Sequence, residues 1–149
     1  MSERPALPYG LWTSPLDPVE VAQAKRLRDV RWDSDGKTLV WLEGRGARGV
    51  LVSQQGDDAP RDLTTTLSVR AEVGYGGGDF SVANGSVYFV ASNGRLYKQL
   101  LAAGVHRAIT PAFGHVASPT PSPSGHHVIY VHSAEGTDRL AIVDAEGRT

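Results

Sequence analysis

A glycine run with charged neighbours, five histidines and a scatter of serines are the places in this sequence where a reactive or binding site could be built. The run lies in "VRAEVGYGGGDFSV", Val69–Val82. A dinucleotide loop of the form G-x-G-x-x-G would need glycine where Asp79 stands, and a helix behind it to aim N–H groups at a pyrophosphate. The residues that follow, "FSVANGSVYF", alternate with the period of a strand. No lysine follows the glycines, so a P-loop fails as well. No serine sits in a G-x-S-x-G elbow: Ser86 opens a strand after Gly85, and Ser124 precedes Gly125 in a turn. Among His106, His115, His126, His127 and His132, the adjacent pair would point to opposite faces of a strand. They are read as surface or channel histidines, with no metal site. "SDG" at Ser34–Gly36 lacks the further oxygen ligands of a calcium loop and is read as a turn. Neither a cofactor nor a metal is expected.

The 149-residue chain carries 15 basic and 16 acidic residues, for a formal charge of −1. That balance offers no electrostatic field for nucleic acid. It has no cysteine, which rules out disulfides and thiolate metal sites. "MSERPALPYG" lacks the apolar core of a signal peptide, and no apolar run approaches the roughly 20 residues of a membrane span. The expectation is a cytoplasmic protein that binds neither membrane nor nucleic acid.

Residues 1–28 read as an irregular, proline-broken extension carrying Leu11 and Trp12, with Val19–Arg28 open to either a short helix or a strand. From Asp29 onward, seven-residue runs rich in β-branched and aromatic residues alternate with Gly, Asn and Asp turns. Asn93-Gly94 has the composition of a two-residue type I′ hairpin. Three segments share one form, "WDSDGKTLVWLEG", "SVANGSVYFVAS" and "SPSGHHVIYVHS". Their glycines, Gly36, Gly85 and Gly125, are spaced by 49 and 40 positions, and "RDLT" and "RAIT" close the first two units. All-β units of about 40–50 residues are the mark of a β-propeller, one four-stranded blade per repeat. The fold class expected is all-β, a partial propeller of about three blades at 29–66, 67–112 and 116–149. "GYGGGDFSV" then leads into the first strand of the second blade, where glycine permits close backbone approach. Around it, Arg70, Glu72, Tyr75 and Asp79 are candidates to face substrate, meeting a charged peptide terminus. The same four fit a structural ion-pair cluster between blades, which is the simpler role.

"YGLWTSP", "VRAEVGYGGGDF", "GRLYKQ" and "SPSGHHVIYV" together resemble the N-terminal part of the prolyl oligopeptidase family of serine peptidases, in its acylaminoacyl-peptidase and dipeptidyl-aminopeptidase-like branch. Where many relatives read "HEYGGG", this chain has "VGYGGG". The resemblance implies a propeller joined to a C-terminal α/β-hydrolase domain that carries the Ser-Asp-His triad and lies outside these residues. It implies a filter that admits peptide substrates to that domain and excludes folded proteins. It makes Leu11 and Trp12 interdomain contacts and carries over no catalytic residue. A rival reading is a stand-alone propeller that binds other proteins and has no peptidase attached. Three blades do not close a ring, so blade faces built from Val40, Leu42, Ile129 and Val131 are expected to be exposed and to drive self-association.

Overall fold

The computed structural model describes Pro8, Pro15, residues 17–74 and residues 77–148. Leu11, Trp12 and Tyr75 lie outside the described residues. A six-residue helix, α1 (Pro18–Gln23), is the first element among the described residues. Asp17 caps it by accepting from Val19 N at 2.8 Å, and Pro18 occupies the first turn, where a missing N–H costs nothing. The segment that read as helix or strand is both: α1 stops at Ala24 and strand β1 begins at Arg26. The boundary expected after residue 28 therefore falls inside β1, whose run of arginines hides its strand character.

Three antiparallel sheets follow in chain order. The first is β1 (Arg26–Trp32), β2 (Thr38–Arg45), β3 (Arg48–Gln55) and β4 (Arg61–Asp62). The second is β5 (Phe80–Ala83), β6 (Ser86–Val90), β7 (Leu96–Leu100) and β8 (His106–Ala108). The third has three strands, β9 (His115–Pro121), β10 (His127–Ala134) and β11 (Thr137–Asp144). Within each sheet neighbours in sequence are neighbours in space, as short hairpins dictate.

The turns follow the glycines, though not always as their composition suggests. Asn93-Gly94 is not a two-residue hairpin. Gly94 N bonds Ala91 O at 2.9 Å and Ala91 N bonds Arg95 O at 3.1 Å, so the loop has three residues, with positive φ at Gly94 only. The paired positive φ values of a type I′ turn occur instead at Asn84-Gly85 (52° and 69°) and Glu135-Gly136 (52° and 72°). The "RDLT" and "RAIT" endings are the same device built twice. Leu63 N and Ile109 N bond the carbonyls of Leu51 and Leu96, while Thr64 and Thr110 hydroxyls accept from the N–H groups of those same residues. Each threonine is buried and satisfies a strand edge that the short outer strand leaves open.

The sheets stack face to face and make two cores. Val40, Leu42, Leu51 and Leu63 of the first sheet pack on Phe80, Val87, Phe89 and Tyr97 of the second. The other face of the second sheet, with Tyr88, Val90 and Leu96, packs on Val116, Val128 and Tyr130 of the third. β6 is consequently buried at all five positions, which is why "SVYFV" is apolar without alternation. Val40 and Leu42, expected to be exposed, are fully buried, because their face of β2 meets the second sheet. The exposed face of the first sheet carries Leu27, Val30 and Trp32 instead. That of the third carries Ile129, Leu140 and Ile142, with Val131 half-buried. Ladder pairing sets Val30 beside Trp41, Trp32 beside Leu39, and Ile129 beside Ile142.

Ion pairs tie strands and sheets together. Arg45 grips Asp62 through two bonds of 2.7 and 2.8 Å and reaches Glu43 at 2.7 Å. Lys98 and Arg107 of the second sheet both bond Glu146, which follows the third, at 2.6 and 2.7 Å. Hydrogen bonds from these cations hold the Asp62 and Glu146 carboxyls below their ordinary values. Burial pushes Glu43 up, but its bonds to Trp41 and Arg45 and the nearby Lys25 charge outweigh that and lower it too. A carboxyl with a lowered folded pKa contributes stability above its unfolded value and loses it as pH falls through the folded value. Urea titrations should therefore show stability flat near neutrality and falling once pH drops below the ordinary carboxylate range. An Arg45→Met chain should lose part of that slope.

Candidate functional site

A cleft of about 680 Å³ opens between the first sheet and the connection that leads to the second. One wall is β1 and the β2–β3 turn, with Arg26, Arg28, Gly44, Gly46, Ala47 and Arg48. The other is formed by residues 68–72 with Gly74, Gly77 and Asp79. The volume lies in the ordinary range of ligand pockets.

The floor is backbone stitched to both sheets. Val69 N bonds Gly49 O at 2.9 Å, and Gly49 N bonds the Ser68 hydroxyl at 3.1 Å. On the opposite side Arg70 N bonds Val90 O at 2.9 Å and Ser92 N bonds Ser68 O at 2.8 Å. A side chain at Gly49 would run into the Val69 carbonyl, so this strand start must be glycine. Asp79 pins the far end: it is buried, its Oδ1 accepts from Ala71 N at 2.7 Å, and its own carbonyl accepts from Val90 N at 2.9 Å.

The glycine run has a local cause. Gly78 has φ +63°, and an added Cβ would lie 2.9 Å from both the backbone N and the Cα of Ser118. Ser118 sits on β9 at φ +52°, where the β9–β10 register shifts, and its N–H bonds Gly78 O at 2.8 Å. Glycine is there so that the segment leading into β5 and strand β9 of the third sheet can touch backbone to backbone.

Three of the four substrate-facing candidates line this one cleft: Arg70, Glu72 and Asp79. Arg70 Nε stands 3.4 Å from Glu72 Oε1, and His115 Nδ1 of the third sheet stands 3.9 Å from Glu72 Oε2. Arg70 and Glu72 are open to solvent, whereas Asp79 is committed to the backbone. The lining also contains Arg26, Arg28 and Arg48, none of which the motifs singled out. Their signal was present in Arg26-x-Arg28, two arginines at strand spacing, and in an arginine at each foot of the turn at Gly46-Ala47. Among the described residues no group of three or more His, Asp or Glu is placed to hold a metal ion. His132 bonds Phe113 O at 3.0 Å, and His106 meets the Phe89 and Tyr97 rings edge-on. No described helix is long and apolar enough to cross a membrane.

With sheet order, stacking and cleft in place, three solved structures are informative. A puromycin-hydrolyzing peptidase of Mycobacterium tuberculosis superposes with a TM-score of 0.77 and 26% identity, over 97% of this chain and 26% of its own. A putative TolB from Agrobacterium tumefaciens gives 0.64 and 18% over 83% of this chain and 44% of its own. TolB from Acinetobacter baumannii gives 0.63 and 17% over 80% of this chain and 30% of its own. The fold is a partial β-propeller. Its three sheets are successive blades, and the chain spans about a quarter of the length of the peptidase it resembles. No protein-family model and no curated protein matches the chain.

Proposed function

We propose that these blades belong to the propeller of a serine peptidase of the prolyl oligopeptidase type, and that the propeller admits peptides to a hydrolase domain while excluding folded proteins. The observation that carries this reading is the likeness to the puromycin-hydrolyzing peptidase, which runs through nearly the whole of this chain at 26% identity. The apolar outer faces of the first and third blades agree with it, since each has the composition of a surface that another blade covers. Catalysis in this reading falls to a triad outside these residues, acting through an acyl-enzyme. The propeller's own contribution is steric.

Reading the gene on past the codon for Thr149 tests the assignment. A G-x-S-x-G elbow followed by Asp and His is expected, whereas further blades alone would establish the stand-alone binding module instead. The filter has its own test in the protein encoded by the whole gene. It should hydrolyse short peptides and leave the same sequence uncut when it is displayed on a folded domain. Equal cleavage of both would overturn the filtering role.

A further inference from the structure

The geometry points to recognition of carboxylate groups in the cleft between the first sheet and the connection to the second, with acidic peptides as the ligand and Arg26, Arg28 and Arg70 as the recognising residues. The inference rests on the peptidase reading only in naming a peptide as the carrier of the carboxylates.

The cleft's charge is unlike that of the chain. The whole sequence is nearly balanced at −1, yet the lining holds four arginines against Glu72 and Asp79. Asp79 is buried with Oδ1 on a backbone N–H, which leaves Glu72 as the solvent-exposed acid there. Arg48 is anchored, its Nη2 donating to Thr65 O at 2.6 Å. The backbone of Arg26 and Arg28 belongs to the β1–β2 ladder, but their guanidinium groups have no hydrogen-bond or ion-pair partner among the described residues. Both lie beside Gly44: a Cβ there would stand in ordinary contact with Arg26 Cβ at 3.4 Å and Arg28 Nε at 3.9 Å. Both residues and Gly44 line the cleft on the same wall. Arg70 lines the other wall of the same cleft, engaged by Glu72 at 3.4 Å. Guanidinium groups bind carboxylates through paired, charge-assisted hydrogen bonds, and several around one opening fit a ligand with more than one acidic group. The apolar lining is limited to small groups such as Ala47, Val69 and Ala71, so the cleft has little to offer an uncharged hydrophobic ligand. Glu72 acts as an internal competitor for Arg70.

Phosphate oxyanions share this chemistry, so the test carries both. The 149-residue chain would be titrated at low salt into a fluorescently labelled glutamate-rich hexapeptide, and into its glutamine counterpart with an amidated C-terminus. Fluorescence anisotropy should show the acidic peptide binding at least about tenfold more tightly, with the difference shrinking as salt rises. Arg26→Gln/Arg28→Gln, at two exposed positions, should weaken binding by about tenfold or more. Glu72→Gln should tighten it several-fold by freeing Arg70. Equal affinity for the neutral peptide would overturn the inference, as would unchanged binding in the double variant or weaker binding in Glu72→Gln. Pyrophosphate displacing the peptide at concentrations equal to the peptide's own would overturn the choice of a peptide ligand. No turnover is measured, so failure here leaves the peptidase reading standing, and a missing hydrolase elbow leaves this binding result standing.

Discussion

Replacing Phe89 by alanine should lower the stability of the chain by about 3–5 kcal/mol. Phe89 lies at the centre of the middle blade with no solvent exposure. Its ring stacks on Tyr97 at a centroid distance of 5.5 Å, and His106 meets it edge-on at 6.4 Å. It also belongs to the core shared with the first blade, so truncation removes apolar contacts from an interface between sheets as well as from within one. Cavities at such a junction close poorly, because ladders of hydrogen bonds hold both sheets. Native domains are stable by only about 5–15 kcal/mol, so the variant would have lost a large share of its margin. Urea titration should show the midpoint falling with little change in slope. Val105→Ala, at a position 82% exposed, is the control and should shift stability by no more than about 0.5 kcal/mol. Similar losses at both sites would mean that the first two blades do not share a packed core.

Gly78→Val should cost about 3 kcal/mol or more, through two additive faults. A β-branched residue is strained at φ +63°, and its Cβ would press on the Ser118 backbone, which has no flexible end to yield. Gly74→Ala separates the two faults. Gly74 has φ +60° and open space where its Cβ would go, so only conformational strain applies, at about 1 kcal/mol. Thermal melts of the two variants should differ by several degrees. Equal losses would show that the contact between Gly78 and Ser118 is not tight. The Gly78 variant should also loosen the third blade first. Hydrogen exchange in β9 and β10 should then accelerate more than in β2 and β3.

Much of the architecture was legible because the repeat is local. Glycine turns at Gly36, Gly85 and Gly125 precede the second strand of each blade, and strand length and β-branched composition mark β2, β6 and β10. The matched endings at Arg61–Thr64 and Arg107–Thr110 were visible as a pattern. Their cause, a threonine hydroxyl taking a strand N–H, was not, since nothing in four residues says which carbonyl and N–H lie opposite. Asn93-Gly94 misled for a related reason. Composition allows positive φ, but loop length is set by which residues pair, and the ladder runs on through Ala91 and Arg95.

The candidate site was legible in part. Arg70, Glu72 and Asp79 are close in sequence and flank conspicuous glycines, so they were found. Arg26, Arg28 and Arg48 come from about 20 residues or more upstream, and it is the stacking of the first blade on the second that brings them to the same cleft. The same stacking decides which face of β2 is covered. Alternation in "TLVWLEG" says that Val40 and Leu42 share a side, and it cannot say whether that side meets the next blade or solvent. Residue type and short-range spacing were enough for the all-β class, the repeat and close backbone approach somewhere in "GYGGGDFSV". That Gly78 is the position that meets Ser118, which face of β2 is buried and which arginines share a cleft all depend on which sheet lies against which.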